Sequence, residues 1–284
     1  MKSVKDKHIT FTAQETSASL VLRREEPADY FAVENLTREA FWEGFWGEGQ
    51  TICDEHLLVD KLRKCPSFVP ELDFVAELGG VLAGHIIFTR CKVVDRSGES
   101  HEALTFGPLS VLPAYQNKGI GKALMLHTFG VARQLRYKAV IIFGHSDYYP
   151  RFGFSPAARY GITTPEGNNY EAFMAYPLYP NALEGIQGKY YADPVYESLT
   201  QEEALEFDKK FPLKEKHTPE PIETLLNRLN PAARASLTKN QNLRTINQMT
   251  AYSQRTLEAM DGMDDEAIMA VKNTMAKFGM KWGR

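Results

Sequence analysis

No apolar run in this sequence approaches the ~20 residues that a bilayer-spanning helix requires, so no transmembrane helix is expected. Cysteine is scarce: Cys53, Cys65 and Cys91 are the only three, and none is paired with another or with histidine at a metal-ligand spacing. An odd, sparse count excludes a disulfide framework and fits a reducing compartment, with buried, inert thiols and no metal site. Charge of either sign is not in large excess. The formal net charge of -3 gives the whole chain no attraction for nucleic acid. The Gly-Lys-Ser/Thr of a P-loop is absent, and so is the three-glycine dinucleotide fingerprint. Internal repeats and low-complexity tracts are missing too. The stretch Met1 to Gln14 is polar and lacks the apolar core of a signal peptide. Residues 1–18 are therefore expected to be a flexible tail on a cytoplasmic protein.

What remains is the composition of a soluble globular protein, 43% hydrophobic and 24% charged over 284 residues, enough for one large domain or two ordinary ones. Leu20 to Arg24 is a β-prone run, and Pro27 stands where a helix can begin. A second helix is expected from Asp54 to Lys64, capped by Asp54 and stopped before Pro66. Asp73 to Leu78 and Val81 to Val94 read as strands joined at Gly79-Gly80, a hairpin signal. Ala103 to Val111 is a further strand. Ala139 to Phe143 is apolar without alternation, as in a strand covered on both faces. Tyr170 to Tyr176 is a later strand candidate. After Pro180 the pattern weakens, with a charged helix at Glu202 to Lys210 and a lysine- and proline-rich linker at Pro212 to Pro221. Beyond it the periodicity is helical, with Ile222, Leu225, Leu226 and Leu229 and later Ile268, Val271, Met275 and Phe278 at the apolar positions.

The most informative stretch is Leu109-Ser110-Val111-Leu112-Pro113-Ala114-Tyr115-Gln116-Asn117-Lys118-Gly119-Ile120-Gly121-Lys122. A strand ends, a turn follows, and glycines open a helix that is expected to run to about Leu135. The first helical turn offers unpaired N–H groups and a partial positive charge. Glycines let a diphosphate approach those amides, and Lys118 and Lys122 add charge beside them. A tight strand-to-helix turn with no ligand would use the same glycines.

The wider context decides between those readings. Gln116-Asn117-Lys118-Gly119-Ile120-Gly121, behind Val111 and Pro113, resembles the Gln/Arg-x-x-Gly-x-Gly/Ala signature of the GNAT acetyltransferases. Tyr149-Pro150-Arg151-Phe152-Gly153-Phe154 is similar to the family's Tyr-x-x-x-Gly-Phe element, in the right order around the strand Ala139 to Phe143. The run Gly144 to Phe154, with Gly84-His85-Ile86-Ile87-Phe88, looks like one branch of that family. The resemblance covers Leu20 to Lys216. It implies acetyl-coenzyme A as cosubstrate. The backbone of Leu109, Ser110 and Val111 would pair with the pantetheine arm. The amides and side chains of Gln116, Asn117, Lys118, Gly119, Ile120, Gly121 and Lys122 would hold the diphosphate.

A primary amine, on a small molecule or a protein, would then attack the thioester directly in a ternary complex. Tyr149 would protonate the leaving thiolate, which suits a phenol with a pKa near ~10. Packing beside Phe152 and Phe154 is the alternative reading of Tyr149. The family often carries its general base as a glutamate on the strand corresponding to Thr105–Val111, but no acid stands there. Glu102, Glu77, Asp73 and His85 are candidates, each also readable as structural. Trp42, Phe45 and Trp46, with Glu43 and Glu48 among them, lie where the family shapes its acceptor site. Aromatic walls and carboxylates suit a cationic amine, and core packing accounts for the aromatics equally well.

The last segment, from about Pro219 to Gly283, resembles the C-terminal domain of the bacterial RNA polymerase α subunit. Asn242 to Met249 looks like its helix-start element. Glu258 to Met263, with Ile268, Val271 and Lys272, resembles its helix-hairpin-helix, and Phe278 to Gly283 also fits. Where that family meets DNA phosphates with lysines, Asp264-Asp265-Glu266 stands here. Residues 216–284 hold ten Lys or Arg against seven Asp or Glu, a net of about +3 and a weak footprint for DNA. A protein-contact or structural role is expected of this module, and DNA binding is not.

The sequence thus leads to a mixed α/β fold with a GNAT-type sheet flanked by helices over residues 19–215. A small all-α, helix-hairpin-helix-like domain over residues 216–284 follows it. The function expected is amine acetylation. The competing expectation is a regulatory adaptor that binds the coenzyme without turnover.

Overall fold

The computed structural model describes residues 7–10, 19–42, 51–215, 221–239, 246, 249, 252 and 254–277. The strands run in chain order: β1 (Lys7–Thr10), β2 (Ser19–Arg24), β3 (Phe74–Leu78), β4 (Val81–Val94), β5 (Ser100–Val111), β6 (Ala139–Phe143), β7 (Ser155–Pro156), β8 (Ile162–Thr163), β9 (Phe173–Pro177) and β10 (Gly188–Tyr191). The helices are α1 (Tyr30–Phe41), α2 (Glu55–Leu62), α3 (Ile120–Gln134), α4 (Gln201–Asp208), α5 (Glu223–Leu226), α6 (Pro231–Lys239), α7 (Gln254–Glu258) and α8 (Asp265–Lys277). The sheet is ordered β1-β2-β3-β4-β5-β6-β9-β7, and β10 pairs with both β4 and β8.

The Gly79-Gly80 turn carries two positive φ values, 59° and 82°, the geometry of a two-residue hairpin loop that only glycine adopts freely. It pairs β3 with β4 antiparallel. β4 and β5 then pair along most of their length, from Val94↔Ser100 to Gly84↔Val111, with a register shift between Ile86 and Phe88. β5 and β6 behave differently. They are parallel, and a single register pair, Leu104↔Val140, joins them. Beyond that point β6 pairs only with β9, while β5 runs on to Val111. The two strands therefore splay, and the β6-facing edge of β5 past Leu104 has no strand partner among the described residues.

Helix α3 lies on one face. Ile120, Leu124, Met125, Phe129, Val131 and Ala132 recur at helical spacing and pack with Phe74, Ile86, Phe88, Phe106, Val140 and Ile142 of the strands. Val33 of α1 and Val59 of α2 pack on Val75 of β3. Two outcomes differ from the sequence reading in this region. Lys7–Thr10, inside the stretch read as a flexible tail, is a strand paired antiparallel with Ser19–Leu22. Asp54 stands at the N-cap, just before α2, as expected, but its side chain makes no cap hydrogen bond there.

The chain divides into two compact units, residues 1–40 with 54–200, and residues 41–53 with 201–284. That division differs from the break expected at residue 215. Its chemical reason lies in α4 and the segment after it. The Gln201 carboxamide oxygen accepts from the amides of Thr51 and Ile52, and the Lys214 ammonium lies 5.0 Å from the centre of the Trp42 ring. Trp42, Thr51 and Ile52 are thereby tied to Lys214 and Gln201. In the same unit α5, α6, α7 and α8 surround a core of Leu225, Leu237, Ile246, Met249, Leu257, Val271 and Met275. Asn230 accepts from the Ala233 amide (2.8 Å) and donates to the Gly262 carbonyl (2.8 Å), which pins the start of α6 to the α7–α8 turn.

Candidate active site

The end of β5, the loop to α3 and the segment after β6 converge on one place. Asn117 and Gly119 both take the left-handed conformation, with φ of 62° and 81°. These two residues turn the chain so that its amides fan outward. Tyr115 and Gln116 still donate to the carbonyls of Leu112 and Pro113. Ala123 is the next residue whose N–H finds a carbonyl, that of Gly119 at 2.9 Å. The amides of Asn117 through Lys122 make no backbone hydrogen bond among the described residues. Unpaired amides at the start of a fifteen-residue helix, with Gln116 to Gly119 exposed, form a ready anion site. A Cβ on Gly121 would lie 3.6 Å from Val111 Cγ2 and 3.7 Å from Leu109 Cδ2, so both strand residues line the base of this loop.

The other sequence-assigned residues divide by what their side chains do. Gln116 folds back, and its Nε2 donates to the Val111 carbonyl at 3.1 Å. Lys118 and Lys122 are exposed, with the Lys118 ammonium 5.2 Å from the centre of the Tyr115 ring. Ile120 is buried in the core, which leaves only its amide for a ligand. Ser110 is fully buried, and its hydroxyl pairs with the Thr37 hydroxyl of α1 at 2.9 Å. Only the backbone of Ser110 is available at the strand edge.

Tyr149 stands in the throat of the splay. Its ring centroid is 5.9 Å from that of Phe106 on β5 and 5.4 Å from that of Phe154. The ring lies so close to Gly144, just past β6, that a side chain there would collide with it. Burial, with Tyr148 alongside, raises the Tyr149 phenol well above the usual tyrosine value. The hydroxyl is therefore held protonated at any ordinary pH. Of the packing partners expected for Tyr149, Phe154 meets its ring, whereas the Phe152 ring packs against Tyr148.

The base candidates separate. Glu77 is bound by Arg23 (3.4 Å), and Glu102 is exposed on the half of β5 away from the loop, 4.0 Å from Arg90. Asp73 and His85 come together: His85 Nε2 lies 2.8 Å from Asp73 Oδ1 in a fully buried setting. Glu25 lies 3.9 Å from the same nitrogen and is itself held by Arg63, which also binds Glu34 at 2.6 Å. Burial pushes Glu25 up to about 7 and Asp73 up to about 6, and lowers His85 to about 4. Glu25, Arg63 and Glu34 were missed by the sequence reading because no local spacing links β2, α1 and the end of α2. In register His85 stands opposite Ser110.

Of the residues expected to shape an acceptor pocket, Glu43, Phe45, Trp46 and Glu48 lie outside the described residues. Trp42 is buried beneath Lys214 in the second unit, a packing role.

Residues 35–154 match the acetyltransferase (GNAT) family. The uncharacterized N-acetyltransferase YjhQ of Escherichia coli K12 is 37% identical over 103 residues, which is 36% of this chain and 55% of that protein. The match thus spans about half the length of that relative. The uncharacterized N-acetyltransferase YhbS of the same organism is 27% identical over 169 residues, 60% of this chain and 93% of that protein. The crystal structure of Escherichia coli YhbS in complex with CoA shares the fold, with a TM-score of 0.56 and 24% identity over 66% of this chain and 96% of that one. No helix among the described residues is long and apolar enough to cross a membrane. The splayed strand pair, the turned-out loop and α3 all lie within residues 35–154, so the part of the chain that builds this site is similar to the acetyltransferases of the GNAT family.

Proposed function

We propose that this protein transfers acetyl from acetyl-coenzyme A to a primary amine by direct attack in a ternary complex. The observation that carries the reading is the run of unpaired amides from Asn117 to Lys122 beside the open edge of β5. A ligand that is part diphosphate and part amide-bearing chain fits both features. Phosphoryl oxygens accept from the loop amides, and the amide groups of a pantetheine arm complete the strand edge at Leu109, Ser110 and Val111. The YhbS relative, whose structure holds CoA, shares this fold.

Tyr149 is the general acid in this reading. Its raised pKa keeps a proton available for a departing thiolate, and the ring packing against Phe106 and Phe154 fixes where the hydroxyl can go. Lys118 and Lys122 add positive charge at the phosphate end. The amine must arrive as, or become, the free base before it attacks. Thiol release measured with acetyl-coenzyme A against a panel of small amines, amino-terminal peptides and lysine peptides tests the assignment. Amine-dependent release is expected. Coenzyme binding with no release for any acceptor class would reduce the domain to a coenzyme-binding adaptor.

The helical module at residues 216–284 is read as a protein-contact domain with an architecture like that of the RNA polymerase α C-terminal domain. Its acidic hairpin supports this. Asp264 Oδ1 accepts from the Ala267 amide at 2.8 Å and so caps α8, and Asp265 and Glu266 stand exposed in the first turn. Negative charge favours that helix end and repels a phosphate there. In a band-shift titration of the full chain, duplex DNA should bind no tighter than the ~10⁻⁴–10⁻⁶ M typical of non-specific contact. Tight, salt-sensitive binding lost on Arg234→Ala would overturn this part of the reading.

A further inference from the structure

The loop amides have one more neighbour, which no sequence signature assigned. The hydroxyl of Tyr148 lies 3.6 Å from the position a Cβ would take on Gly121, at the same spot lined by Leu109 and Val111. The residue is half-buried, and its ring packs edge-on against Tyr149 and Phe152, both with centroids 5.1 Å away. Arg151 holds it from the other side. The guanidinium carbon lies 4.3 Å from the centre of the Tyr148 ring, and Arg151 Nε donates to the Tyr148 carbonyl at 2.8 Å. A ring fixed by two aromatics and a cation has few orientations left. Its hydroxyl nevertheless makes no hydrogen bond to the described residues. Burial raises its pKa, so it remains a neutral donor.

We propose that Tyr148 is a coenzyme-binding residue whose hydroxyl donates to the diphosphate held at the first turn of α3, with Arg151 as its positioning residue. The inference rests on the acetyltransferase reading, because that reading supplies the diphosphate. The two adjacent tyrosines then divide the site. Tyr149 fills the throat between β5 and β6, where the thioester would lie. The Tyr148 hydroxyl stands beside Gly121, in the first turn of α3. The Arg151 cation, stacked on Tyr148, holds the ring in place. A phenol suits this place because it donates a directed bond from a rigid ring, at small entropic cost. The ring contact with Arg151 survives removal of the hydroxyl, so a phenylalanine variant isolates the donor.

Calorimetry on the full chain with acetyl-coenzyme A tests this, with pantetheine binding followed by ligand-observed NMR as the control. Tyr148→Phe should raise the Kd for acetyl-coenzyme A about tenfold or more, the size expected of a lost donor to a charged oxygen. Pantetheine, which carries no phosphate, should bind the variant and the unaltered protein equally. Arg151→Ala should produce a smaller loss in the same ligand, and Tyr148→Phe should not add to a loss already caused by Arg151→Ala in full. An acetyl-coenzyme A affinity unchanged in Tyr148→Phe overturns the assignment. Equal weakening of pantetheine also overturns it, by placing the contact elsewhere. An unaltered protein that binds no acetyl-coenzyme A defeats the acetyltransferase reading itself, an outcome distinct from either.

Discussion

Replacing Gly121 with leucine should abolish measurable binding of acetyl-coenzyme A, a loss of about 100-fold or more, while Gly121→Ala should be mild. The distances set this contrast. A Cβ at residue 121 meets Tyr148, Val111 and Leu109 at 3.6 to 3.7 Å, which is ordinary contact, so a methyl group fits. A branched side chain cannot continue inward between those three groups and must turn outward over the unpaired amides. Blocking even two charge-assisted bonds from those amides, at ~1.5–3 kcal/mol each, accounts for the expected factor. Gly119→Val should fail for a second reason, because φ of 81° strains any β-branched residue and the loop would have to rearrange. Calorimetry with the coenzyme alone is the measurement, accompanied by a melting curve to show that the fold survives. An unchanged Kd in Gly121→Leu would remove the loop from the coenzyme site.

Tyr149→Phe should lower kcat by about 10²–10⁴-fold, the usual contribution of a positioned proton donor. The Kd for acetyl-coenzyme A should stay within a few-fold. Phenylalanine keeps the ring that packs against Phe106 and Phe154, so the substitution removes the hydroxyl without opening a cavity. A loss confined to kcat places the hydroxyl in the transition state rather than in coenzyme binding. A phenylalanine variant running at full rate would leave Tyr149 a packing residue only. Set beside Tyr148→Phe, this substitution separates the two phenols: one is read in rate, the other in affinity.

Much of this was legible in the sequence because it is local. The Gly79-Gly80 hairpin, the β5 strand, the start of α3 at Gly119 and the Tyr149-to-Phe154 turn are each encoded within a few residues. The structure places each of these elements within a residue or a few of the expected bounds. What was not legible depends on residues distant in the chain. Nothing near Arg63 announces that it binds Glu25 and Glu34, and nothing near Ser110 announces its bond to Thr37. β1 was hidden because a polar tetrapeptide becomes a strand only when β2 offers an edge. The short β7, β8 and β10 were missed for the same reason. Tyr148 was overlooked beside Tyr149 because family spacing selects one tyrosine, and the fold decides where the other one points.

The single register pair between β5 and β6 also bears on solubility. An unpaired strand edge is a template for another polypeptide, and proteins normally shield it with charge, proline or a covering element. Here the edge faces inward. The splay begins at Leu104↔Val140 and is filled at its base by the Phe106 and Tyr149 rings. Pro108 lies within the open stretch and has no N–H to offer an intruding strand. A slender ligand chain meets the remaining donors and acceptors, while a second protein strand meets proline and aromatic rings. The opening proposed for the coenzyme arm is therefore also one that disfavours pairing of β5 with a second protein strand.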